Sequence, residues 1–62
     1  MKYVVFKEIN GSESYWRGKF TESGQPMASR SADKAVRFET PRSAYEEAAK
    51  YRMFQWKVGA RK

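Results

Sequence analysis

Serines at positions 12, 14, 23, 29, 31 and 43 supply hydroxyls that could act as nucleophiles, but the chain has no histidine to take their proton and no cysteine to offer a thiolate. A lysine base would need burial that the pattern does not predict. The seven Asp and Glu residues are scattered or lie beside lysine and arginine. The one adjacent acidic pair, Glu46-Glu47, falls on a predicted helix and reads as a solvated face rather than an acid/base or metal pair. Without Cys or His, thiolate and imidazole metal sites are excluded, and no glycine spacing suits a phosphate cradle. The expectation is a non-catalytic chain with no metal and no cofactor.

Binding is the chemistry that remains. Thirteen Lys and Arg against seven Asp and Glu give a formal charge of +6 on 62 residues, so acidic partners are favoured. Over Tyr15 to Phe20 the alternation sends Trp16, Gly18 and Phe20 one way and Tyr15, Arg17 and Lys19 the other. Lys7, Tyr15, Arg17, Lys19 and Lys57 are then expected on the side of a sheet opposite a helix, joined by Arg37 if its stretch is extended. Such a face offers cations to phosphate oxygens and one aromatic plane to an unpaired base. The plainer reading is a solvated sheet face whose long basic side chains discourage edge pairing. Arg52, Arg61 and Lys62 read as a basic extension near the C-terminus, with a flexible tail as their ordinary explanation.

Those residues need a scaffold, and the stretch Phe38 to Trp56 supplies its firmest part. Thr40 is a good N-cap, Pro41 suits the first helical position, and helix formers follow. Ala44, Ala48 and Tyr51 share one stripe with Tyr45 at its edge, and Glu46 and Lys50 form an i,i+4 pair opposite. Tyr3 to Ile9 reads as a central strand, with Val4 and Phe6 on its core side and Tyr3, Val5, Lys7 and Ile9 on the other. Asn10-Gly11 predicts a type I′ hairpin turn, while the polar Ser12-Glu13 points to a longer loop. Gly18 leaves room for the helix or a neighbouring indole.

Pro26 suits a strand start or an edge, so Met27 to Arg30 is expected to be a short third strand. Ser31 to Phe38 admits either strand or helical turn, with the turn favoured at Asp33 to Val36. Phe54, Trp56 and Val58 alternate as a last half-buried strand. The fold expected is a single α+β domain: a three- to four-stranded antiparallel sheet with one helix on one face, in ββββαβ-like order. Its expected core is Val4, Phe6, Trp16, Phe20, Phe38, Ala44, Ala48, Tyr51, Trp56 and Val58. No apolar run spans a bilayer, and MKYVVFKEI is too soon interrupted by charge for a signal peptide, so a cytoplasmic setting is expected.

The spacing of Trp16, Asp33, Ala35, Phe38, Thr40, Ala44 and Ala48, an A-x-x-F-x-T strand end before an alanine-bearing helix, resembles short uncharacterised open reading frames of phages and prophages. That likeness covers most of residues 3 to 58 and implies a setting rather than an activity. Residues 14 to 52 more weakly resemble the arm-type DNA-binding domains of tyrosine recombinases, a three-stranded sheet against a C-terminal helix. The likeness implies Tyr15, Arg17 and Lys19 as the sheet residues that would enter the major groove, although this chain adds a segment after the helix. Two partner classes follow: nucleic acid held by the basic sheet face, or an acidic or nucleic-acid-handling host protein that the chain inhibits, as an anti-defence protein does. Tyr3, Tyr15, Met27, Met53 and Arg17 suit the second. A homodimer through the edge at Pro26 to Arg30 or Phe54 to Ala60 is a further option.

Overall fold

Asn10 and Gly11, at φ 53° and 81°, form the two-residue turn between β1 (Lys2–Ile9) and β2 (Ser12–Phe20). The loop is no longer than that. Ile9 already faces Ser12 and Glu8 faces Glu13, because the type I′ twist matches that of the strands and pairing can begin at once. The computed structural model describes residues 2–61, in which β3 (Pro26–Ser29), a 3₁₀ turn (Ala32–Lys34), α1 (Pro41–Lys50) and β4 (Lys57–Arg61) follow in order. The four strands make one antiparallel sheet in the order β3-β2-β1-β4, so β1 is central and β3 and β4 are the edges.

The phase of β1 is the reverse of the expected one. Val5, with Tyr3 beside it, packs on Trp16, Ala44, Ala48 and Met53 beneath the helix, while Val4 and Phe6 join Tyr15 on the far face under Ala32 and Ala35. Alternation could not choose, since both parities of Tyr3 to Ile9 are apolar. Pairing chooses: Phe6 opposite Tyr15 leaves Val5 on the side of Trp16. The 3₁₀ turn then covers the second apolar face, so this small sheet buries side chains on both sides. Phe20 and Tyr51, expected in the core, keep 40% and 37% of their surface exposed.

Beyond the Phe6–Tyr15 pair, β1 and β2 part, and the chain between the 3₁₀ turn and α1 fills the gap. Phe38 bridges Tyr3 through both backbone hydrogen bonds, at 2.8 and 2.9 Å, and the Val36 N–H donates to the Trp16 carbonyl at 3.0 Å. The expected helical turn is therefore present, slightly earlier than placed, and extended chain follows it. Gly18 serves this crossing rather than the helix or an indole. It sits at φ +84° in the bulged part of β2, where a Cβ would come within 2.7 Å of Val36 Cγ2.

α1 begins as its sequence dictates: the Thr40 Oγ1 accepts from the Ser43 N–H at 3.1 Å, and Pro41 follows at the first position. Ala44 and Ala48 are buried. The i,i+4 ion pair seen is Arg42–Glu46, at 3.6 Å, in place of Glu46–Lys50. Glu47 has a different partner: its Oε2 accepts the indole N–H of the fully buried Trp16 at 3.0 Å, satisfying the one polar atom of that ring. The last carbonyls are met by a Schellman arrangement, Met53 N–H to Ala48 O at 2.8 Å and Arg52 N–H to Ala49 O at 3.1 Å. None of the described helices is long and apolar enough to cross a membrane.

Candidate nucleic-acid interface

The six residues expected to share one basic sheet face do not form a free basic surface there: Tyr15 and Lys57 lie on the far face but are buried or ion-paired, and Lys7 lies on the other side. Lys7 continues the Val5 side of β1 and places its ammonium 5.0 Å from the centre of the Trp56 ring, on the helix side. Tyr15 is 8% exposed, and its hydroxyl donates to Glu13 Oε1 at 2.8 Å, so it offers no free plane. Lys57 lies 3.6 Å from Glu8. The Arg37 Nη2 donates to the Ala32 carbonyl at 3.0 Å, and the Arg17 Nη1 donates to the Met27 sulfur at 3.7 Å. Lys19 is exposed on the bulged end of β2. Of the suggested protein-contacting residues, Met53 and Tyr15 are buried.

The far face is largely an ion-paired surface. The Arg61 side chain runs back over Gly59, where a Cβ would meet both Phe6 and Arg61, and lies 4.8 Å from the Phe6 ring centre. Its Nη2 then reaches both oxygens of Glu13, at 2.7 and 2.8 Å. Arg61 is thus a member of β4 rather than a loose tail; Lys62 lies outside the described residues. Glu8 and Glu13, opposite each other across β1 and β2, are each matched by a β4 cation.

The hydrogen bonds from Arg61, and then from Tyr15, hold the Glu13 carboxyl below the usual carboxylate range. A carboxyl with a depressed folded-state pKa adds stability above its unfolded value and loses it as pH falls through the folded one. Wild type should therefore lose melting temperature across the acid carboxylate range. Glu13→Gln should start lower at neutral pH and fall less steeply over that range; parallel curves would show that the pairing contributes nothing.

On the helix side, rings and cations do converge. Trp16 is the hub: Phe20, Tyr51 and Trp56 lie 5.3, 5.9 and 6.3 Å from it, and Phe20 and Tyr51 meet edge to face at 5.1 Å. The segment after α1 shapes the rest. Met53 is buried as an anchor, its carbonyl accepts the Trp56 N–H at 3.1 Å, and the resulting turn carries Phe54 and Gln55 at its tip. Phe54 is therefore 78% exposed, next to the buried Met53. Its expected place in a strand is lost because β4 starts only at Lys57.

A groove of about 430 Å³ results, lined by Lys7 and Arg52, by Tyr51, Phe54 and Trp56, and by Gln25, Pro26, Met53 and Gln55. It contains two cations, three rings and no carboxylate. Lys50 adds a third positive charge nearby, 5.3 Å from the Tyr51 ring centre. Arg52 holds its place at φ 57°, the left-handed position after the helix where glycine is the usual residue. A non-glycine residue there costs roughly 1–2 kcal/mol, so Arg52 occupies this position against the local backbone preference. Tyr51 and Trp56 are expected in the core and Phe54 in a strand; the convergence of the three at the surface depends on the 53–56 turn, which no alternation pattern reveals.

Comparison with protein-family models, with curated proteins and with solved structures finds no match to the chain.

Proposed function

We propose that this chain is a non-catalytic nucleic-acid-binding domain, and that its binding surface is the groove beside the helix end rather than the open sheet face. The observation that carries the reading is the groove lining: Lys7 and Arg52 beside Tyr51, Phe54 and Trp56, with no acidic residue among them. Cations attract a phosphate backbone and release its counterions, while flat rings give planar groups a surface to lie on. The formal charge of +6 acts in the same direction by raising the encounter rate with any polyanion. The sheet face supports the reading less well, because Glu8 and Glu13 match Lys57 and Arg61 there.

Fluorescence-anisotropy titration of a labelled oligonucleotide between 50 and 200 mM salt tests it. The logarithm of the binding constant should fall linearly with the logarithm of salt concentration, with a slope of about 0.7–0.9 per phosphate contact. Lys7→Glu should weaken binding and flatten that slope. Arg52→Gly should also weaken binding while leaving the fold intact or stabilising it by up to about 1 kcal/mol, since glycine relieves the left-handed strain at some cost in unfolded-state entropy. Absence of salt-dependent binding would remove the proposal. So would a pull-down from lysate in which one host protein is still recovered after nuclease treatment and no nucleic acid is retained without it, the result an inhibitor of a host complex would give.

A further inference from the structure

Beside the larger groove is a hollow of about 200 Å³ lined by Tyr45, Ala48, Ala49, Met53, Phe54 and Trp56. Met53, Phe54 and Trp56 belong to both. The two recesses differ chemically: the larger is framed by Lys7 and Arg52, whereas the smaller has no charged group in its lining. Tyr45 at its rim is 60% exposed, so an apolar recess with an aromatic edge stands next to a cationic one. Isolated exposed rings are ordinary, but a contiguous group of this kind on a small domain marks a binding surface.

We infer that the groove and the hollow take two neighbouring unpaired bases of a single strand, one in each beside the Phe54 ring, with the connecting backbone drawn towards Lys7 and Arg52. The inference rests on the nucleic-acid reading above and specifies its ligand. A base pair inside a duplex presents only its edges, so a ring standing 78% clear of the surface can be used fully only by bases already free of a partner. Charge complementarity selects the occupant: an apolar peptide would fill the hollow but leave two cations unmatched, whereas a nucleotide pair brings planes to the rings and phosphates to the cations. Most of the lining offers stacking and charge, with the Gln25 and Gln55 amides as its uncharged polar side chains apart from the Tyr51 hydroxyl, so thymine and cytosine strands should bind within a few-fold of one another.

The test uses the whole chain with three probes of about equal length: oligo-dT, an oligodeoxynucleotide backbone in which every site is abasic, and a mixed-sequence duplex long enough to stay paired. Oligo-dT should bind at least tenfold more tightly than either of the others and quench tryptophan fluorescence, because Trp56 borders both recesses while Trp16 is sealed. Phe54→Ala should weaken oligo-dT binding roughly 5- to 100-fold, and Phe54→Leu nearly as much, with Phe54→Trp restoring it. Circular dichroism melts of the three variants should overlay wild type, since Phe54 is exposed. Salt-dependent binding that is unchanged by Phe54→Ala, or equal for strand and duplex, overturns the two-base assignment and leaves nucleic-acid binding standing. Failure of all three probes at low salt overturns both.

Discussion

Trp16→Ala should remove about 3–5 kcal/mol of stability, the range for truncating a buried tryptophan. A domain of 62 residues has about 3–9 kcal/mol in total at 0.05–0.15 per residue, so the substitution should remove about half of the stability and, at the lower end of that range, unfold the variant at 25 °C. The size of the effect follows from position. Trp16 is fully buried, meets Phe20, Tyr51 and Trp56 on its ring faces and edges, and donates its N–H to Glu47 on the helix. Alanine would leave a cavity bounded by sheet and helix that neither can close without losing the other. Trp16→Phe keeps a ring and should lose markedly less. Urea unfolding followed by far-UV circular dichroism measures both, and a midpoint for Trp16→Ala close to wild type would mean that the indole is not the hub of this fold.

Gly18→Ala should cost about 2–5 kcal/mol, from roughly 1–2 for a left-handed non-glycine residue and roughly 1–3 for overpacking. The added methyl would lie 2.7 Å from Val36 Cγ2, so something must shift. A double-mutant cycle separates the two causes. In a Val36→Ala background the steric part vanishes while the backbone part stays, and Gly18→Ala should be less damaging there by about 0.5–3 kcal/mol. If Gly18→Ala costs the same in both backgrounds, Val36 is not what the glycine accommodates.

Much of the scaffold could be read from local rules. Thr40-Pro41 announces its helix because capping depends on neighbours in sequence, and Asn10-Gly11 announces its turn for the same reason. The choice of face for β1 could not be read, since Val4, Val5 and Phe6 present apolar side chains to both sides and only the pairing with β2 decides. The consequence reaches the site: Lys7 has the parity of Val5 and therefore lies on the helix side. Tyr15 does lie on the expected face, but its burial there is not a local property. A half-polar strand face suggests water, but the 3₁₀ turn brings Ala32 and Ala35 over it, and that covering comes from residues far along the chain. The groove was least legible, because it depends on the turn at 53–56 holding Phe54 outside the sheet.

The bridge between Tyr3 and Phe38 has a consequence for how the domain assembles. The hairpin closes through two residues, whereas the crossing segment joins positions 35 apart in sequence, and the entropy lost on ring closure rises with the logarithm of that separation. The half of the hairpin next to the turn pairs strand to strand, whereas the inner edges of its splayed end, at Tyr3 and Trp16, find their partners in the distant segment. The N-terminal strand and the helix that follows Phe38 are thereby tied into one cooperative unit, in which neither end of the chain gains its full order without the middle.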